Sequence, residues 1–479
     1  MSFAELRSQL DQKKIGAVEL TQHYLTQIEQ KDPLLNSYIT VCKEEALLQA
    51  RQAQQEIDHG RSTRFTGIPL SVKDNICTKG VRTTCASKML ADFIPPYDAS
   101  VIETLKKEHF ILLGKTNMDE FAMGNTSGTS FYGAVKNPYD LTRIPGGSSG
   151  GAAASVCAGL CAAAIGTDTG GSVRQPAAHC GMTGLKPTYG AVSRWGLIAF
   201  SSSLDQIGFL THSAGDAAYL LDGLCGPDPQ DATTSSKASR IQASSKIGTS
   251  LKGLKIGLPI EFFSDRISAA VKKSVLAAAA FYEKQGCEIL ELSLPSLEYA
   301  VPAYYLISSA EAASNLARFD GIKYGYRAED ERLDFNTLVK RTRREGFGTE
   351  VKRRILLGNY ALSSGYYDAY YKNALRIRRR LCMEYDALLR QCDFLLTPSA
   401  PATAALIQQE AEPAERYLED ICTVSANIAG LPAVSTPCGY DPNGLPIGMS
   451  LTGKAFDEKT IIAACDCFEQ EFKRKEAVL

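Results

Sequence analysis

Apolar residues return at helical intervals through "SFAELRSQLDQKKIGAVELTQHYLTQIEQ", and "CKEEALLQARQAQQEIDHG" joins strong helix formers to a closing Gly60, so residues 3 to 60 are predicted helical. The period then shortens. "GIPLSVKDNICTKG", bounded by Gly67 and Gly80, and "FILLGKTNM", which follows the helical "SVIETLKKEH", are predicted strands. An alanine-rich run predicts a helix over 149–161, a strand over 162–165, a loop and a short helix. The Ser-rich "TTSSKASRIQASSK" reads as an exposed loop before a strand in "LKGLKIGLPIEFF". A charge-rich helical region covers 310–390, and strands in "CDFLLTPSA", "LPAVSTPCGY" and "LPIGMSLTG" precede a last helix. Strands alternating with helices, with no internal repeat, predict an α/β fold with a central, mostly parallel mixed sheet covered by helices on both faces. A single domain is expected over 1–479. It divides into N-terminal helices (1–60), a core (61–225) holding a Gly- and Ser-rich region (144–210), a surface loop (226–250), and a remainder completing sheet and pocket (251–479).

Composition narrows the function classes. The chain has 479 residues, 44% hydrophobic and 22% charged, with a formal net charge of −1. That balance is ordinary for a globular protein and provides no overall field toward nucleic acid or membrane. The first twenty residues carry charges every few positions and no apolar core, so no secretory signal is read there. The longest weakly charged run, 144–173, is broken by Gly, Ser and Asp168 and is not a membrane span. Fourteen cysteines are scattered; the close pairs Cys157/Cys161 and Cys465/Cys467 lack the neighbouring histidines of a metal site. Cys157 and Cys161 are expected in a helical core, and the cytoplasm is the expected compartment.

The chemistry concentrates in "IPGGSSGGAAASVCAGLCAAAIGTDTGGSVRQPAAHCG", residues 144–181. A linker would not enclose so packed an apolar run, and neither G-x-x-x-x-G-K-[ST] nor G-x-G-x-x-G is present to make it a nucleotide cradle. "GGSSG" formally satisfies G-x-S-x-G at Ser148. However, Pro138 and Pro145 stand where that motif needs a strand, and His179 is the closest of only five histidines in the chain. Ser172 fits nucleophilic chemistry better. It closes a loop whose two glycines free the backbone, so that the amides of Thr169, Gly170, Gly171 and Ser172 can face a developing oxyanion. An ordinary helix cap would explain Ser172 but not the glycines. Without histidine, the base must be another group. Lys73 lies within an apolar strand; most strand lysines point to solvent, but a buried one loses its proton and can accept one from a hydroxyl. A relay from Ser172 through Ser148 to Lys73 would span a gap that the lysine cannot.

"GGSSGG", then "GTDTGGSVRQPAAHCG", with Lys73 in an upstream strand, resembles the amidase signature family of Ser-cisSer-Lys amidohydrolases. The resemblance implies that Ser172 is the nucleophile forming an acyl ester, Ser148 the bridging serine after a cis peptide, and Lys73 the base. "GKTNMDEFAMG", "VKNPYD", "GMTGLKPTYGAVSRWGLIAFSSSLDQIG" and "EGFGTEVKRRILLGNYALS" are similar to the subgroup that serves tRNA-dependent amidotransferases. Its members hydrolyse glutamine and pass ammonia to a kinase/transamidase B subunit, with a small C subunit completing a heterotrimer. There ATP, with Mg2+, activates misacylated Glu-tRNA(Gln), or alternatively Asp-tRNA(Asn); tRNA is contacted mainly through the partner. No cofactor in this chain and no membrane association are implied. A glutamine pocket needs a cation and an anion: Arg353 for the carboxylate, Asp420 for the ammonium, and Tyr304 for an added hydroxyl, with Arg354 and Tyr305 one register away. One departure from the subgroup is Gly128 in "GNTSGTSFYG", where a larger polar residue is usual. The rival readings are a free-standing amidase of small aryl or acyl amides, and a nucleotide-binding or scaffold protein with a dead site.

Overall fold

The computed structural model of the chain describes residues 2–329, 334–409 and 412–479. Eleven strands form one sheet: β1 (Tyr38–Val41), β2 (Pro69–Lys73), β3 (Ile111–Thr116), β4 (Ala163–Asp168), β5 (Thr183–Lys186), β6 (Gln206–Thr211), β7 (Lys255–Pro259), β8 (Glu288–Leu292), β9 (Phe394–Pro398), β10 (Ala433–Tyr440) and β11 (Pro446–Gly453). Their spatial order is β1-β3-β2-β4-β6-β5-β10-β11-β9-β7-β8.

The α/β class and the mixed sheet are as expected, but the sheet is not mostly parallel. Among the described residues six of the ten neighbouring pairs are antiparallel, and parallel pairing is confined to β3-β2-β4 and β9-β7-β8. The middle of the sheet, from β4-β6 through β11-β9, is antiparallel, and within it the β10–β11 hairpin needs no crossover helix.

Both faces are covered, and the alternation of side chains shows how. Ala163 and Ile165 of β4, with Ile207 and Phe209 of β6, enter the larger hydrophobic core; Ala164 and Leu210, from the same strands, enter a second core with Leu25, Ile28, Ala153 and Val156. Successive residues of a strand face opposite ways, so β4 is apolar on both faces until Thr167 and Asp168 at the site, and its "AAIGTD" is fully buried.

The N-terminal helices form (Phe3–Asp11, Ala17–Leu35, Lys43–Asp58), but the first sixty residues also contain β1, an edge strand antiparallel to β3. The 149–161 helix is shorter, Gly150–Cys157, so Cys161 lies buried beyond its end rather than on it. The 226–250 loop holds two single turns, Ser236–Arg240 and Ala243–Lys246, anchored by buried Ala238 and Ala243.

The topology creates the site. β3, β2 and β4 run parallel, so their carboxyl ends lie at one edge. β2 ends on Lys73, β4 ends on Asp168 just before the nucleophile loop, and β3 leads into Asn117 and Asp119. In α/β sheets this is the edge where ligands bind.

Candidate active site

Lys73 is the last residue of β2 rather than an interior one, yet it is 0% exposed. Its Nζ lies 2.8 Å from the Oγ atoms of both Ser148 and Ser149, 2.9 Å from Thr167 Oγ1 and 3.3 Å from the Thr167 carbonyl. Burial pulls the amine down to about 7, against the opposing pull of the Asp119, Asp168 and Asp205 carboxylates. A neutral amine has two hydrogens and one lone pair, which suits three surrounding hydroxyls. Ser149 Oγ donates to the Thr167 carbonyl at 3.1 Å, and Asn75 Nδ2 donates to Thr167 Oγ1 at 3.0 Å, so the two auxiliary hydroxyls are themselves held. Ser149, Thr167 and Asn75 escaped the sequence reading. The pairing "GGSSGG" signalled a second serine, but only the backbone decides which of two adjacent side chains turns toward the strand end.

The peptide between Gly147 and Ser148 is cis. The Ser148 turn is braced from two sides. The Asp119 N–H and the Ser127 hydroxyl both donate to the Ser148 carbonyl at 3.3 Å, and the Gly147 N–H donates to Gln175 Oε1 at 3.0 Å. The Ser149 N–H donates to the Ser172 carbonyl at 3.1 Å, tying the two serine turns together. Among the described residues, the Ser172 and Ser148 hydroxyls make no hydrogen bond with each other. Ser172 is 7% exposed and lies two residues before the helix Arg174–His179, not at its cap.

The nucleophile loop is held by a buried ion pair. Arg174 Nε and Nη2 each donate to Asp168 at 3.1 Å, and Asn427 Nδ2 donates to the same carboxylate at 2.8 Å. Burial, the largest single influence, would raise Asp168, but Arg174, Lys186 and Asn427 together outweigh it and keep the carboxyl ionised, well below the usual range. Asp168 also accepts the Gly171 N–H at 2.8 Å. Gly171 therefore leaves the expected oxyanion set, and the N–H groups of Thr169, Gly170 and Ser172 remain without protein partners among the described residues. Both glycines answer to close approach: a Cβ on Gly170 would sit 2.5 Å from Tyr304 Cζ, and one on Gly171, at φ 133°, 2.2 Å from Thr423 Oγ1.

The substrate-side prediction needs one correction. Arg353 is on the solvent face of the helix Thr349–Leu362 and pairs with Glu350. Arg354 is the inward residue, 2% exposed. Its guanidinium lies over the Tyr305 ring at 4.4 Å and the Tyr417 ring at 5.0 Å, and its Nε is 2.7 Å from Glu350. Arg354 Nη1 is buried with no hydrogen-bond partner. Tyr304 presses its ring on Gly170, while the Tyr305 hydroxyl donates to Asp420 Oδ2 at 2.5 Å, so both tyrosines, neighbours on the helix Ala300–Asn315, reach the site. Asn125 Nδ2 donates to Asp420 Oδ1 at 3.1 Å; burial raises Asp420 to about 6 against these two bonds. Gly128 faces outward, and its loop reaches the site through Asn125 and Ser127 instead. His179 is buried and hydrogen-bonds to neither serine hydroxyl.

An α/β sheet carrying a buried lysine and paired serine turns at the carboxyl ends of its parallel strands defines a class of amide-directed serine–lysine sites. The chain belongs to the Amidase family, whose model matches residues 19–462. It is 52% identical over 476 residues to a Ruminiclostridium cellulolyticum protein named as the A subunit of glutamyl-tRNA(Gln) amidotransferase, covering 99% of this chain and 98% of that one. A Coxiella burnetii protein of the same name is 49% identical over 98% of this chain and 97% of its own. The crystal structure of the corresponding Thermotoga maritima glutamyl-tRNA(Gln) amidotransferase protein, likewise named as the A subunit, superposes with a TM-score of 0.77 at 38% identity, covering 93% of this chain and 90% of that one. A bacterial aryl acylamidase, 23% identical with a TM-score of 0.85 over 98% of this chain and 96% of its own, shares the fold.

Proposed function

We propose that the chain is the glutamine-hydrolysing component of a Glu-tRNA(Gln) amidotransferase, with Asp-tRNA(Asn) as an alternative acceptor. The observation that carries the reading is the dry Lys73 amine 2.8 Å from Ser148 Oγ. Neutral Lys73 donates to Ser149 and Thr167 and accepts the Ser148 proton, while Ser148 accepts that of Ser172. This second step requires the Ser172 hydroxyl to swing toward Ser148, over backbones already tied by the Ser149 N–H. Ser172 Oγ then attacks the side-chain amide carbon of glutamine, and the N–H groups of Thr169, Gly170 and Ser172 receive the oxyanion. The proton returns through Ser148 to the departing ammonia. Water enters by the reverse relay and frees glutamate.

Arg354 takes the substrate carboxylate through the unpartnered Nη1, and Asp420 takes the ammonium. An apolar aryl or acyl amide has no use for that buried pair, which favours glutamine over a free-standing amidase's substrates. Arg354→Met should raise KM for glutamine by roughly 10²-fold, because it removes a buried charge partner, whereas Arg353→Met should leave KM unchanged. Steady-state ammonia release measures both.

Ammonia passes to a B subunit that uses ATP and Mg2+ and holds most of the tRNA; a small C subunit completes the heterotrimer, and this chain carries no cofactor. The cytoplasm is the proposed compartment, supported by fourteen cysteines that are all unpaired. No helix among the described residues is long and apolar enough to cross a membrane. The function is tested by supplying amide-15N glutamine to the assembled complex with Glu-tRNA(Gln). The label should appear in the Gln-tRNA(Gln) amide; release of ammonia from aryl amides with none from glutamine would instead support the free-standing amidase.

A further inference from the structure

Against Gln175, which holds the Gly147 N–H of the Ser148 turn, lies a chamber of about 550 Å³. Its inner wall includes His179, which is 3% exposed and has neither Nδ1 nor Nε2 hydrogen-bonded. The Ala402 carbonyl lies near the ring but outside hydrogen-bond geometry. Buried polar atoms are paired as a rule, so two orphans on one ring that lines a chamber mark a ligand position. Burial pulls the imidazole down to about 4, so at neutral pH it offers one N–H and one lone pair. A carboxamide offers the complement, a carbonyl and an NH2 group. Gln175, one turn earlier on the same helix, has its Oε1 taken by the Gly147 N–H and keeps its own NH2 group to donate.

The mouth carries both signs of charge: Arg143 and Arg416 beside Glu415 and Glu419. Arg143 is partly engaged by Asp140 and the Ala404 carbonyl, and Arg416 by the Gln409 carbonyl. The carboxylates of Glu415 and Glu419 accept no hydrogen bond among the described residues. A phosphate or dicarboxylate would meet those two carboxylates, and a simple cation would meet the two guanidinium groups. A zwitterion satisfies both.

We propose that this chamber binds a second molecule of glutamine, its carboxamide against His179 and its zwitterionic head at the charged mouth, apart from the reaction pocket. The inference rests on the reading of glutamine as substrate. It also places the second molecule against supports of the first site: Asn125 holds Asp420, Thr129 Oγ1 donates to Asp119 at 2.9 Å, and Gln175 holds the Ser148 turn.

Equilibrium dialysis of radiolabelled L-glutamine against the assembled complex, carrying Ser172→Ala to prevent turnover, tests it. Two molecules should bind per chain at saturation. Arg354→Met should remove one, and His179→Phe, a ring of similar size without polar atoms, should remove the other. Glu419→Gln at the rim should weaken only the second, by roughly tenfold, which guards against misfolding of the His179 variant. One molecule per chain, lost in Arg354→Met and retained in His179→Phe and Glu419→Gln, would overturn the second position and leave the substrate reading standing. One molecule lost in both Arg354→Met and His179→Phe would mean a single continuous site and would also overturn it. No binding in any form would overturn both.

Discussion

Ser172→Ala is expected to abolish glutamine-supported amidation, by on the order of 10⁵-fold, while amidation supported by added ammonium salts stays near wild type. The split follows from what each source of nitrogen requires. Glutamine must be opened by a covalent attack, and the mechanism assigns that attack to the Ser172 hydroxyl, beside the amides of Thr169, Gly170 and Ser172, while Thr169 Oγ1 donates to Asp205 and Thr423 Oγ1 to the Gly170 carbonyl. Free ammonia needs none of this, because in the proposed function the step that consumes it lies in the partner. Parallel assays of charged tRNA with the two nitrogen sources read both arms. The Ser149 N–H binds the Ser172 carbonyl rather than its side chain, so the substitution leaves that brace in place. Loss of both activities in an intact, correctly assembled complex would contradict the account.

The second large effect concerns Lys73. Its amine is drawn down to about 7 by burial, and the mechanism uses the neutral form. Activity must therefore fall as pH drops through that value, since protonation fills the lone pair that accepts from Ser148. kcat/KM for glutamine should decline by about tenfold per pH unit below 7. It should decline more steeply below about 6, where Asp420 also takes up a proton and ceases to hold the substrate ammonium. Above 7 the amine is already neutral and the profile should flatten. Lys73→Arg should remove the limb near 7 together with roughly 10³-fold or more of activity, because a guanidinium stays protonated throughout. A wild-type profile flat between pH 5 and 8 would mean that the lysine is charged or idle.

Much of this arrangement was readable from residue order. An apolar "GIPLSV" leading into a lysine leaves burial open against the commoner solvent-facing reading, and two glycine clusters each holding serine imply backbone brought close to something. What escaped was set by partners far along the chain. β8 mixes exposed and half-buried side chains at an edge without a two-residue alternation, and β5 has only four residues, so neither carries enough periodicity to stand out. β1 is masked by helix formers on either side. The choice between Arg353 and Arg354 does have a local signal: Val351, Arg354, Gly358 and Ala361 form the buried stripe of their helix at spacings of three and four, and Arg353 falls outside it. The bracing by Asp119, Asn125 and Asn427 depends on contacts between segments up to 295 residues apart, as with Asn125 and Asp420. No local pattern encodes those.

The most direct test of the central claim is to quench the complex in acid during steady glutamine turnover and digest it for mass spectrometry. The γ-glutamyl ester should be found on the peptide containing Ser172, absent from Ser172→Ala, and slower to form when Lys73 is replaced. Ammonia release with an ester on another residue, or with none on Ser172 under conditions where acyl esters survive, would contradict it.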